Sequence, residues 1–206
     1  MTDLCEAMRS QQVLPVLRLP SADQARAAAT AMLEMGLGVV ELTATTPGWP
    51  DALVAVLGEA PAGSWVGMGT MRSADDARRA VDSGAQFLVT PWPVPGVREV
   101  ADAAGVVVLE GGFTPAEVAA AVRQGPAKLF PAHVGGPTYL RSLRVVLPDG
   151  AFVVPTGGIT LDEVPAWLDA GAAAVGVGGD LLAPGATDHL RGVLERTAAQ
   201  RAETVA

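Results

Sequence analysis

The chain has 206 residues, half of them hydrophobic and 4% aromatic, with 14 lysines and arginines against 22 aspartates and glutamates for a formal net charge of -8. That acidity argues against nucleic acid or an anionic membrane as partner, and no apolar run nears the roughly 20 residues of a bilayer span. Cys5 is the one cysteine, which leaves no intramolecular disulfide and fits a reducing, cytoplasmic setting.

The opening segment, MTDLCEAMRSQQ, has no basic region leading into an apolar stretch and is not expected to be a signal peptide. From residue 13 a unit repeats: a short β-branched run, a capping residue, an Ala-rich helical stretch and a glycine. The strand candidates are VLPVLRL (13–19), VVELTAT (39–45), SWVGMGT (64–70), QFLVTP (86–91), VVVLEG (106–111), AKLFPA (127–132), AFVVPTG (151–157) and AAVGVGG (173–179). They are continuous apolar runs, as expected of parallel strands buried on both faces. Ser21 with Gln24, Thr114 with Glu117 and Thr160 with Glu163 have capping-box spacing. Gly36, Gly84, Gly105, Gly125 and Gly171 close successive helices, and the eighth helix is placed near 185–202. Eight such units over residues 1–206 predict a single-domain (β/α)8 TIM barrel of minimal size. A doubly wound open sheet is the alternative, but RLPSAD after the first strand is nothing like the G-x-G-x-x-G turn such a sheet usually carries.

In a barrel, chemistry sits at the C-terminal ends of the strands. The residues there are Arg18, Glu41, Thr43, Thr70, Thr90, Glu110, Lys128, Thr156 and the pairs Gly157–Gly158 and Gly178–Gly179. Lys128 is the only lysine in the chain; the other 13 basic residues are arginines. Its apolar flanks place it in a buried strand, where burial disfavours the charged form of an amine. A neutral amine condenses with ketones to a Schiff base, which a guanidinium cannot do. A snorkelling surface lysine is the plainer alternative. Glu41 ends another apolar run and shares a strand face with Thr43. It reads either as an acid/base partner of the lysine or as a salt bridge to Arg18. The two glycine pairs, at the seventh and eighth βα loops, offer backbone N–H groups for an anion. The two histidines, His133 and His189, lie far apart, so no metal site is expected.

Together VLPVLR, VVELTATTP, VGMGTM, GAQFLVTP, GFTPAEV, KLFPA, VPTGGIT and AVGVGGDL make the chain resemble the class I 2-keto-3-deoxy-6-phosphogluconate (KDPG) aldolase family. That family includes 6-phosphogalactonate homologues and 4-hydroxy-2-oxoglutarate (KHG) aldolase activity, and the stretches TTPGW and GPTYLRSLRVVLP lean toward the galactonate branch. The resemblance implies cleavage of a 2-keto-3-deoxy-(6-phospho)sugar acid to pyruvate and an aldehyde such as glyceraldehyde 3-phosphate. Lys128 would carry the Schiff base and Glu41 would shuttle protons. Arg18, Thr43, Thr70, Pro91 and Thr156 would hold the keto acid, and Gly157, Gly158, Gly178 and Gly179 would cradle a distal phosphate. A homotrimer with no metal or cofactor is implied as well.

The chain departs from the family pattern at several points. Thr45 replaces an arginine common four residues after the glutamate, and Gly179 replaces a serine of the phosphate cradle. Glu110 stands where the fifth strand usually ends in Pro-Gly; placed at the mouth it would weaken an anion site, or it would pair with His133 or Arg18. His133 stands where a carboxylate often follows F-P-A. An unphosphorylated or different 2-keto acid is therefore an alternative substrate. A non-covalent phosphosugar isomerase or epimerase, or a non-catalytic binding barrel, is the alternative of another class.

Overall fold

The structure, a computed structural model, describes residues 2–183 and 185–205. Eight parallel strands form one sheet: β1 (Val13–Leu17), β2 (Val39–Thr43), β3 (Trp65–Gly69), β4 (Phe87–Val89), β5 (Val107–Gly112), β6 (Ala127–Leu129), β7 (Val153–Pro155) and β8 (Val175–Val177). Each pairs with its neighbour in sequence, β1 also pairs with β8, and a single Thr156–Gly176 bridge joins β7 to β8 and closes the ring. The predicted (β/α)8 barrel is the fold observed. Helices α2 (Ala22–Glu34), α3 (Trp49–Glu59), α4 (Ala74–Asp82), α5 (Val97–Ala104), α6 (Pro115–Val122), α7 (Gly136–Arg144), α8 (Val164–Asp169) and α9 (Ala186–Val205) follow the strands in turn. Short 3-10 turns lie at Ala132–Val134, Leu161–Glu163 and Gly179–Leu182.

One helix was not expected from the sequence. Helix α1 (Thr2–Gln11) precedes the first strand and buries Leu4 and Met8, one turn apart on the same face. They pack with Leu14, Val16, Val39, Phe87, Val89, Leu109 and Val154 in a hydrophobic cluster of their own. These are alternate strand residues, so the cluster fills the barrel interior and α1 is its floor. The intervening residues, Val13, Leu17, Val40, Leu42, Val66, Leu88, Val108, Leu129, Val153 and Val175, pack against the surrounding helices. The side-chain amide of Gln11 fastens α1 to the sheet: it donates to the carbonyls of Val13 and Val39 and accepts from the Val39 N–H.

Capping follows the sequence closely. Thr114 and Glu117 form a reciprocal capping box on α6, and Glu163 accepts from the Thr160 N–H. At Ser21 the side chain accepts from the Gln24 N–H across the first turn of α2. The Gly105 that closes α5 is left-handed at φ 69°, donating its N–H back to the last turn. All the strands but β5 are shorter than the predicted runs. What was read as the last one to three residues of those seven has already turned into the loops that form the mouth, whereas β5 runs one residue beyond its predicted end, to Gly112.

Candidate active site

Strand parity settles which side chains reach the mouth. On β2, Val39 lies in the interior cluster and Val40 and Leu42 in the outer one, so Glu41 and Thr43 face inward. On β6, Leu129 packs outward, so Lys128 points in. The two charged groups meet at the bottom of the mouth, with Lys128 Nζ 3.6 Å from Glu41 Oε1 and side chains 7% and 0% exposed. That separation is an ion pair but too long for a direct hydrogen bond. Among the described residues, neither carboxylate oxygen of Glu41 has a hydrogen-bond partner. Burial pushes the Glu41 carboxyl above the usual carboxylate range, against the opposing pull of Lys128 and then Arg18. Gly69 makes room for this group, since a methyl on its Cα would collide with the Glu41 carboxylate.

Lys128 Nζ also lies 5.5 Å from the centre of the Phe130 ring and opens into a cleft of about 560 Å³. The structure brings Arg18, Lys128, Thr156, Gly157, Gly158, Gly178 and Gly179 together around this cleft. The other predicted residues stand apart from its walls. Glu41 and Thr43 lie fully buried beneath it. Thr70 accepts a hydrogen bond at 3.2 Å from the guanidinium of Arg18, which also donates to the hydroxyl of Thr45. Pro91 is buried after β4, beside Thr90, whose hydroxyl accepts from the Gly111 N–H at 2.9 Å. Thr70 carries a positive φ of 61°, which is rare for a β-branched residue and costs on the order of 1–3 kcal/mol.

Two expectations are corrected. Arg18 makes no salt bridge to Glu41; it is held by threonines, and Glu41 pairs with Lys128 instead. Glu110 is not at the mouth. Leu109 faces inward, so its neighbour Glu110 faces outward, where it binds Arg98 of α5 at 2.6 Å. Glu110 therefore pairs with neither His133 nor Arg18; the Nδ1 of His133 lies 3.1 Å from the Gly157 carbonyl, against the Gly157–Gly158 turn.

Residues not read from the sequence as part of the site also wall the cleft: Val16, Phe130, Ile159, Thr160, Asp180 and Leu182. Phe130 was detectable, standing two residues beyond Lys128 on the same face. The Asp180 carboxylate accepts from the Leu161 N–H at 2.7 Å and so ties the eighth loop to the seventh. Among the described residues no three His, Cys, Asp or Glu side chains gather as a metal-ligand set, and no helix is long and apolar enough to cross a membrane.

Residues 4–191 match the model of the KDPG and KHG aldolase family. The 2-dehydro-3-deoxy-6-phosphogalactonate aldolase of Escherichia coli (strain K12) is 32% identical over 203 residues, covering 96% of each chain. Among solved structures, one described as native KDPGal superposes with a TM-score of 0.82 at 28% identity over 91% of this chain and 96% of its own. The 2-keto-3-deoxy-6-phosphogluconate aldolase of Zymomonas mobilis ZM4, solved with 3-phosphoglycerate, gives a TM-score of 0.78 at 30% identity over 94% of each chain. A buried lysine–glutamate pair at the mouth of a minimal eight-stranded barrel thus sits in a chain that, by family model, sequence and fold alike, belongs to the KDPG and KHG aldolase family.

Proposed function

We propose that the protein is a class I aldolase, a lyase that cleaves a 2-keto-3-deoxy-6-phosphosugar acid to pyruvate and an aldehyde such as glyceraldehyde 3-phosphate through a Schiff base on Lys128. The observation that carries this reading is the near-dry Lys128 amine, 3.6 Å from a wholly buried carboxyl and open to the cleft. In its neutral form Nζ attacks the C2 carbonyl to give a carbinolamine, which loses water to an iminium. Glu41 takes the C4 hydroxyl proton as the C3–C4 bond breaks, and the bonding electrons flow into the iminium to leave an enamine. The aldehyde departs, Glu41 returns its proton to C3, and water releases pyruvate and the free amine. A carboxyl whose proton affinity is raised by burial suits a group that must both accept and return a proton. The iminium is the electron sink, so these steps call for no metal.

Arg18, at the rim of the cleft, receives the keto-acid carboxylate, and Thr156 lines the reacting end. The turns at Gly157–Gly158 and Gly178–Gly179, locked together by Asp180, take the distal phosphate. The Escherichia coli and Zymomonas mobilis relatives, one named for a phosphorylated sugar acid and the other solved with a phosphate ester, support a phosphorylated tail. Gly179 is the residue that favours the unphosphorylated alternative, because it brings no hydroxyl to that cradle. We further propose a homotrimer working in the cytoplasm, where its single thiol stays reduced.

The test is twofold. Borohydride with pyruvate is expected to fix one pyruvyl adduct on Lys128, read by mass; an unmodified lysine rules the mechanism out and leaves the non-covalent isomerase reading. Pyruvate release from a panel of phosphorylated and unphosphorylated 2-keto-3-deoxy acids then assigns the tail.

A further inference from the structure

Arg18 is exposed, yet its guanidinium is held from two sides. One nitrogen donates to Thr45 Oγ1 and the other to Thr70 Oγ1. The first contact begins a longer chain. Thr43 Oγ1 lies 3.2 Å from Thr45 Oγ1 and donates its own proton to the Leu17 carbonyl at 3.3 Å. A hydroxyl has one proton. Because Thr43 spends its proton on Leu17, it accepts from Thr45, and Thr45, having given its proton to Thr43, is the acceptor that Arg18 requires. The direction of every bond is thereby fixed, from the guanidinium through two hydroxyls to the backbone of β1, at the residue before Arg18 itself. Thr45 is the link without which the arginine loses one of its two holds. It is an exposed loop residue, two positions beyond Thr43 and four beyond Glu41, on the same parity.

We propose that Thr45 is a positioning residue for the carboxylate of the keto acid. Its hydroxyl, opposite that of Thr70, fixes the Arg18 fork so that the carboxylate docks in the orientation that brings the carbonyl carbon onto Lys128 Nζ. In a chain where the arginine common at this position is absent, the hydroxyl makes the remaining one rigid. A fork held before the ligand arrives loses less side-chain freedom on binding than one that must be ordered by it. This inference rests on the aldolase reading of the same cleft.

The experiment compares the full chain with Thr45→Val, which keeps the shape and removes the hydroxyl, and Thr45→Ser, which keeps the hydroxyl. Each is titrated calorimetrically with pyruvate and with pyruvamide, which lacks the carboxylate charge, and each is assayed for retro-aldol KM and kcat. Thr45→Val is expected to weaken pyruvate binding and raise KM about five- to tenfold, with kcat within about twofold of the parent. Thr45→Ser returns both to parent values, and pyruvamide binds all three proteins alike. Unchanged pyruvate affinity in Thr45→Val overturns the proposal, as does an equal loss of pyruvamide or a Thr45→Ser that fails to rescue. Borohydride trapping on the parent separates the two levels. A parent that forms no Lys128 adduct refutes the Schiff-base reading, while the pyruvate-against-pyruvamide difference still decides the role of Thr45.

Discussion

On the proposed mechanism, Lys128 and Glu41 divide one task between an amine that must bond to carbon and a carboxyl that must carry a proton. Lys128→Arg keeps the positive charge and most of the bulk but removes the nucleophile. Folded, monodisperse protein with cleavage reduced by about 10³-fold or more, and no borohydride adduct, is the expected outcome. Glu41→Gln should cost about 10²–10⁴ in kcat while leaving pyruvate capture possible. The raised proton affinity of Glu41 has a further consequence with a definite sign. The folded protein holds this proton more tightly than the unfolded chain does, so the stability it confers is complete below the ordinary carboxylate range and is lost as pH rises through the elevated value. Thermal midpoints of parent and Glu41→Gln measured from pH 4 to 8 should therefore drift in the variant's favour as pH increases. A constant difference would show that burial does not perturb the group.

At the scale of the strand, parity explains both what the sequence disclosed and what it concealed. Lys128 and Glu41 were legible because each is a lone charge within an apolar run, and a strand has only two faces. Glu110 looked like a mouth residue because it lies near a strand end. Counting from Leu109 would have turned it outward to Arg98, but that count needs the inward face of β5 to be known first. The threonine hold on Arg18 was hidden for a different reason. Its members come from three strand ends, and hydroxyl directions depend on packing that no local pattern records. The floor helix α1 was overlooked although Leu4 and Met8 stand at helical spacing, because ten residues without a marked cap give a weak signal. The inner face of β3 offers a test of how tightly element and site are fitted. Gly69→Ala drives a methyl into the Glu41 carboxylate, so activity should fall at least tenfold with a stability loss of about 1–3 kcal/mol, read by denaturant titration. An alanine variant with parent activity would mean that the carboxyl has room to retreat and is not held where the mechanism needs it.

The whole molecule is a small barrel with a dry interior beneath a polar mouth and apolar side chains left outside. Val134, Val145, Val146 and Trp92 are 62%, 84%, 65% and 51% exposed. Exposed apolar surface of this kind is often covered by association, which supports the proposed trimer. Light scattering on the purified chain should give three times its mass of 20.9 kDa, whereas a single-chain mass at micromolar concentration would end that assignment. The ring itself is unevenly stitched. β2 and β3 are joined at five paired positions, but β3 and β4 at one, and β7 and β8 at the Thr156–Gly176 bridge. The loops proposed to take the substrate's far end spring from the β7–β8 join. On the proposed reading, a tail of different length or charge would press on that seam, while Glu41 on β2 and Lys128 on β6 sit on strands paired at two or more positions on both sides and would keep their separation.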